Sequence, residues 1–153
     1  MTSRAFPLIP QKSSDVEDGD FFSIPLSDGR FGCGRVLSIL RKSGKRTKTL
    51  LCGLHDWAGP NHPEPQDIDG TPIIEQGVMS LEAIAWVKGS VLGWKDLSED
   101  GLKPLLQVEA GRLLAGFEDM GPLPENELKK YSRRTIYGLG VIRILAEHHF
   151  VRS

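Results

Sequence analysis

Between Lys48 and Lys88 this 153-residue chain has no lysine or arginine. The same interval holds Asp56, Glu64, Asp67, Asp69, Glu75 and Glu82, so its one-signed charge is local. Over the whole chain 19 basic residues nearly balance 20 acidic ones, and a net charge of −1 gives no global reason to bind nucleic acid or an acidic membrane. Cysteine is scarce too, with only Cys33 and Cys52, which argues against a disulfide scaffold. No apolar run approaches the roughly 20 residues that cross a bilayer. The opening MTSRAFPLIPQKSS is too short in apolar residues for a secretory signal, so a cytoplasmic location is the expectation. Length and a 39% hydrophobic content fit one soluble globular domain, expected over 15–153, after a flexible or loosely docked arm over 1–14 that is rich in Ser, Pro and Gln.

The most structured signal is GDFFSIPLSDGRFGCGRVLSIL, residues 19–40, where two apolar runs flank an Asp28-Gly29 turn. It reads as a β-hairpin. A four-residue loop, Ser27 to Arg30 with Gly29 at positive φ, puts Leu26 opposite Phe31, Ile24 opposite Cys33 and Phe22 opposite Arg35. It also keeps Pro25, which lacks an N–H, out of a hydrogen-bonded pair. One surface then collects the large side chains, while Ser23, Pro25, Gly32 and Gly34 share the other. Arg35 is awkward among apolar neighbours. Either its stem lies on the sheet while its head reaches water, or it is a positioned cation at a binding surface.

A second turn in RKSGKRTK and the β-type TKTLLCGLHDW extend the hairpin to a three-stranded antiparallel meander from Asp20 to about Leu54. AGPNHPEPQDIDG, residues 58–70, is a long loop, and loops of this length in compact domains are often functional. Beyond it a short helical turn followed by a strand is expected around 80–94, then a strand near 105–108. Ile136, Leu139, Ile142, Leu145 and Ala146 have helical spacing after a Ser132 cap candidate, although Gly138 and Gly140 leave helix or strand open over 132–150. The fold class is α+β and mostly β: a twisted antiparallel sheet or small partly open barrel with a C-terminal helix.

Catalytic chemistry finds little support. His55, His62, His148, His149 and the two thiols carry no local signature of a nucleophile with its base, and adjacent histidines on a helix point about 100° apart, unlike metal ligands. The glycines of GRFGCGRV lie inside an apparent strand, whereas phosphate-binding loops open a helix. They fit better as points where an aromatic ring or another backbone approaches closely. No catalytic residue, metal site or cofactor is expected.

The segment GDFFSIPLSDGRFGCGRVL resembles the start of the immunity protein 26 family, in its Gly19-Asp20 entry, Ile24-Pro25-Leu26 strand, Asp28-Gly29 turn and Gly34-Arg35-Val36 ending. The resemblance implies a mostly β, non-enzymatic protein of a bacterial polymorphic toxin system, which binds its cognate toxin in the producing cell's cytoplasm. It brings no catalytic motif and no contact residues. From charge, the expected toxin-binding residues are Asp56, Trp57, Glu64, Asp67, Asp69 and Glu75, an acidic and partly aromatic loop suited to a basic protein surface. Two alternatives stand beside this reading: a small β-barrel nucleic-acid module using the RKSGKRTK tip and an exposed Phe21, and a small hydrolase using a Cys or His.

Overall fold

The computed structural model describes residues 4–103 and 105–151; the first three residues of the expected arm and the last two of the chain lie outside it. Among the described residues nine strands form two sheets that do not close into a barrel. In the larger sheet β1 (Asp20–Pro25), β2 (Phe31–Lys42), β3 (Lys45–Gly59), β4 (Ile73–Ser80) and β5 (Val91–Trp94) are ordered β4-β3-β2-β1-β5, every pair antiparallel. The expected meander is its centre. A five-residue helix α1 (Glu82–Trp86) leads into β5, as expected for that segment. The smaller sheet is ordered β8-β7-β6-β9, from β6 (Leu106–Glu109), β7 (Arg112–Ala115), β8 (Glu118–Pro122) and β9 (Ser132–Arg133), with β6 and β9 parallel. Short α2 (Glu125–Leu128) precedes β9, and α3 (Val141–Phe150) closes the fold.

The first hairpin forms with a register one residue away from that expected. Its pairs are Phe21↔Arg35, Phe22↔Gly34, Ser23↔Cys33, Ile24↔Gly32 and Pro25↔Phe31. The loop has three residues instead of four: the Leu26 N–H donates to the Arg30 carbonyl oxygen at 2.9 Å, the Gly29 N–H donates to Leu26 O at 3.1 Å, and Gly29 sits at φ +87°. A β-turn closed by a left-handed glycine is a common three-residue hairpin, and it still leaves Pro25 in a non-hydrogen-bonded pair. The one-residue slip exchanges the faces. Phe22 and Ile24 now lie with Gly32 and Gly34 towards the main core, while Phe21, Cys33 and Arg35 face the other way.

Both faces are therefore buried. On the first, Phe22, Ile24, Val36, Leu50, Cys52, Leu54 and Met79 meet Ile84 of α1 and Ile142 and Ala146 of α3. On the second, Phe21 and Cys33 pack with Ile68 of the long loop, joined by the partly buried Trp57. The two cysteines lie in different clusters and are free thiols. The glycines do what alternate glycines in a strand suggest. A Cβ on Gly34 would lie 2.2 Å from the tip of the Phe22 ring, so the ring occupies the space of the missing side chain.

The C-terminal helix begins later than its apolar spacing suggests. Gly140 is its N-cap residue, and Ser132 belongs to β9 instead. The Val78 N–H donates to Thr135 O at 2.8 Å and the Tyr137 N–H to Val78 O at 2.7 Å, so residues 135–137 run beside β4 and leave Ile136 exposed. Two strand-type bonds and two glycines outweigh helical periodicity there. At the other end, the Ser27 N–H and hydroxyl donate to Glu147, at 2.6 and 2.8 Å, and tie the hairpin loop to the helix. Residues 4–15 lie against the sheet: Leu8 bridges to Val91, and Arg4 makes a two-bond ion pair with buried Asp20, at 2.6 and 2.7 Å.

Gly34→Ala places a methyl group inside the Phe22 ring and is expected to cost about 1–3 kcal/mol by overpacking. Urea unfolding measures this; a cost near zero would mean that the ring has room to move.

Candidate functional site

Arg35 resolves differently from both of its expected forms: it is fully buried. Among the described residues it reaches five acceptors. Nε donates to Gly19 O at 2.8 Å, one terminal nitrogen donates to Asp100 at 2.9 Å and to His55 Nε2 at 3.3 Å, and the other donates to Lys95 O at 2.8 Å and Asp96 O at 3.5 Å. A guanidinium has five N–H donors and no acceptor. Its need is thus met without water. Because Arg35 can only donate, His55 Nε2 must accept, which leaves the imidazole proton on Nδ1, 2.7 Å from Thr71 Oγ1. The Thr71 hydroxyl in turn donates to Ile68 O at 3.1 Å.

Asp100 is the second hub. Its other oxygen accepts from Lys95 Nζ at 2.5 Å and from the Gly70 N–H at 3.2 Å. Lys95, itself buried, also donates to Pro65 O at 3.3 Å and to Asp69. The network joins β2, β3, the segment 95–100 after β5, and the long loop. Burial alone would raise the Asp100 carboxyl, but hydrogen bonds from Lys95, Arg35 and Gly70 outweigh it and hold it below its ordinary value. Burial would likewise lower Lys95, yet its bonds to Asp100 and Asp69 hold it high. His55 goes the other way: burial, reinforced by Arg35, pushes it down to about 4 from an ordinary 6.5.

This network fixes the long loop, which runs over 60–72 once β3 ends at Gly59. His62 stacks on Phe31 with ring centroids 4.1 Å apart, and Ile68 is buried beside Trp57. Lys95 holds Pro65 and Asp69, and the Asp56 N–H donates to Pro72 O at 2.9 Å. Glu64 and Asp67 remain exposed on the short turn Pro65–Ile68, where Asp67 accepts from the Glu64 N–H at 2.8 Å.

The six residues singled out by charge fall into two groups. Trp57, Glu64, Asp67 and Asp69 belong to the loop side, Trp57 through its packing on Ile68. Strand alternation sends Asp56 to the face opposite His55 and Trp57, and Glu75 meets His149 of α3 at 3.1 Å on that same face. Asp69 is paired with Lys95. Asp56, Glu64 and Asp67 form no ion pair with any described residue. Charge counting missed Arg35, His55, Lys95 and Asp100. The signal available was the lone arginine between Gly34 and Val36 in an apolar strand; nothing in sequence connects it to an aspartate 65 positions later.

Several residues considered for other chemistry are enclosed. Phe21, expected to be exposed for stacking on bases, is buried, and burial raises the thiols of Cys33 and Cys52 well above their ordinary value. No group of His, Cys, Asp or Glu among the described residues is arranged to hold a metal ion, and no described helix is long and apolar enough to cross a membrane.

Asp100→Ala leaves two buried cations short of their shared anion and is expected to cost about 3–5 kcal/mol of folding stability. In the same urea assay Asp119→Ala, which breaks the exposed Arg112–Asp119 pair, should cost far less; equal losses would show that the buried network is not holding the fold. His55 supplies a pH signature. The folded chain refuses a proton that the unfolded chain binds below about 6.5, so stability rises with pH between about 4 and 6.5 and is lost as pH falls through that window. Moving from about pH 7 to about pH 5 should remove roughly 2 kcal/mol, a loss that shrinks in His55→Gln; the same loss in both proteins would rule out His55 as its source.

The family model described as immunity protein 26 matches residues 17–106. That span contains the five-stranded sheet, the long loop and the whole buried network, and it stops at the first residue of β6. No curated protein and no solved structure matches the chain. With more than half of its length matched, the chain belongs to the immunity protein 26 family.

Proposed function

We propose that this protein binds and neutralises a cognate toxin domain in the cytoplasm of the bacterium that makes both, as the immunity half of a polymorphic toxin system, and that it acts by binding without chemistry of its own. The observation carrying this reading is a loop with unpaired carboxylates, Glu64 and Asp67, on a platform made rigid by the Arg35–Asp100–Lys95 network. A preorganised loop loses little freedom on docking, and a local negative field speeds the approach of a basic partner. Trp57 gives the loop an aromatic neighbour of the kind that anchors interfaces. Asp69 holds the loop to Lys95, whereas Asp56 and Glu75 lie on the α3 face of the sheet, away from this contact. If the toxin is a nuclease, its phosphate-attracting cleft supplies the positive field that Glu64 and Asp67 would enter.

The test takes as candidate toxin the C-terminal domain of a large secreted protein, should one be encoded immediately upstream, co-expressed and purified with this chain. Glu64→Gln with Asp67→Asn should slow association about tenfold at low salt while the dissociation rate changes little. Stopped-flow measurement separates the two rates. An unchanged association rate would remove the loop as the electrostatic contact, and failure to form any complex would count against this toxin as the partner.

A further inference from the structure

Helices α1 and α3 pack on the sheet face opposite the long loop, through Ile84, Ile142 and Ala146, so the toxin contact proposed above lies on the other side of the sheet from them. On their outward side is an open hollow of about 430 Å³ whose wall holds Trp86, Gly140, Arg143, Ile144 and Glu147. Trp86 is 64% exposed and Ile144 65%. The other two tryptophans are put to use: Trp94 gives its indole N–H to Asp18 O at 2.8 Å, and Trp57 packs on Ile68. Trp86 leans its nitrogen edge over Gly140, where a Cβ would meet Nε1 at 3.6 Å, and leaves the rest of its ring in water. Ile144 is out of place as well. A helix resting on a core keeps its apolar stripe inward, here Ile142 and Ala146, and polar residues outside. An outward tryptophan and isoleucine together, with charges at their rim, have the make-up of an interface centre, where aromatic anchors carry much of the binding energy.

The rim charges indicate what covers this face. One cation and one anion offer no net field to a basic or an acidic partner. Arg143 and Glu147 stand about one turn apart, equally far on either side of Leu145 along the helix. Within one chain Arg143 Nε and the Glu147 carboxylate are 3.8 Å apart, beyond hydrogen-bond range. Glu147 accepts the Ser27 N–H and hydroxyl, and a carboxylate has room for further donors. A two-fold axis at the level of Leu145, with two α3 helices antiparallel, sets Arg143 of each copy beside Glu147 of the other. The same operation brings Ile144 against Ile144 at the centre, with a Trp86 ring on either flank. A two-fold contact has to be complementary to itself, and this face meets that condition in both charge and apolar content.

We propose that the outward face of α1 and α3 is the interface of a two-fold symmetric dimer, its occupant a second copy of this chain. One ten-residue helix and one tryptophan per copy cover less than the roughly 800 Å² per partner of a standard interface, so the dimer is weak, with a Kd of about 10–100 µM. The loop at 60–72, on the opposite face of the sheet, stays open in both copies.

The test is sedimentation velocity of the full chain between about 1 µM and about 1 mM. The sedimentation coefficient should climb from that of a monomer to that of a dimer across this range. Ile144→Asp should weaken association about tenfold or more, because it places a charge where the dimer buries an isoleucine. That side chain is exposed in the single chain, so the variant keeps its fold. Trp86→Ala should act in the same direction. Arg143→Glu and Glu147→Arg should each associate more weakly alone, whereas an equimolar mixture of the two should associate more tightly than either, since every charge then meets its opposite across the axis. Circular dichroism checks that Glu147→Arg, which loses the tie to Ser27, is native; if it is not, Ile144→Asp decides. A monomer at every concentration, a dimer indifferent to Ile144→Asp, or a mixture of native variants no tighter than its components would each overturn the proposal. So would a monomer whose binding to its toxin is lost in Ile144→Asp, a result that would give this face to the toxin.

Discussion

A buried guanidinium is the constraint around which this molecule is arranged. Removing an arginine from water is expensive, and the penalty is recovered only where every N–H finds an acceptor and the charge finds a counter-ion. Arg35 meets both conditions by drawing on Gly19 before β1, His55 on β3 and the segment 95–100 after β5. These acceptors are far apart in sequence, and they are in place only when the five-stranded sheet is assembled in one register. The network therefore specifies the fold as much as it stabilises it. It also explains why the long loop is ordered despite its prolines and glycines, since Lys95 and Asp100 hold its backbone and Asp69 from inside.

Local chemistry was legible where it is self-contained. Asp28-Gly29 and Ser43-Gly44 both marked turns, and Gly29 and Gly44 adopt the positive φ angles such turns require. The meander, the short helix before β5 and the strand near residue 106 followed from the same kind of signal. Register was not legible. Three- and four-residue loops are equally compatible with SDGR, and the choice is made by what each face later meets. Once α3 and Ile84 cover one side and Ile68 the other, both faces need apolar residues, and a pattern read as one-sided becomes two-sided. The helix start failed for a related reason, because the bonds of residues 135–137 to Val78 are tertiary and leave no local trace.

The acidic interval was visible as composition, but its division into a loop group and an α3 group depends on strand alternation at residues 55–57 and on partners from distant segments. Asp69 and Glu75 look the same as Asp67 in a charge count. In the fold one is occupied by Lys95 and the other by His149, so they shape the surface where Asp67 presents a free charge. The site proposed for toxin recognition is thus smaller than the one composition suggests, and better anchored.

The two sheets are joined by polar contacts: the side chain of Gln76 donates to Gln107 at 2.9 Å and accepts from the Leu105 N–H at 2.8 Å. Beyond β5 and before Tyr137, Val108 is the one described hydrophobic side chain that counts as buried. Amide pairs set orientation well but contribute little cohesion compared with packed apolar area. The outer sheet is thus an appendage held with few apolar contacts, and substitutions in it are expected to disturb the inner sheet less than substitutions in the main core. A lineage under pressure to alter what it recognises has, in such an appendage, a surface it can rewrite without endangering the rest.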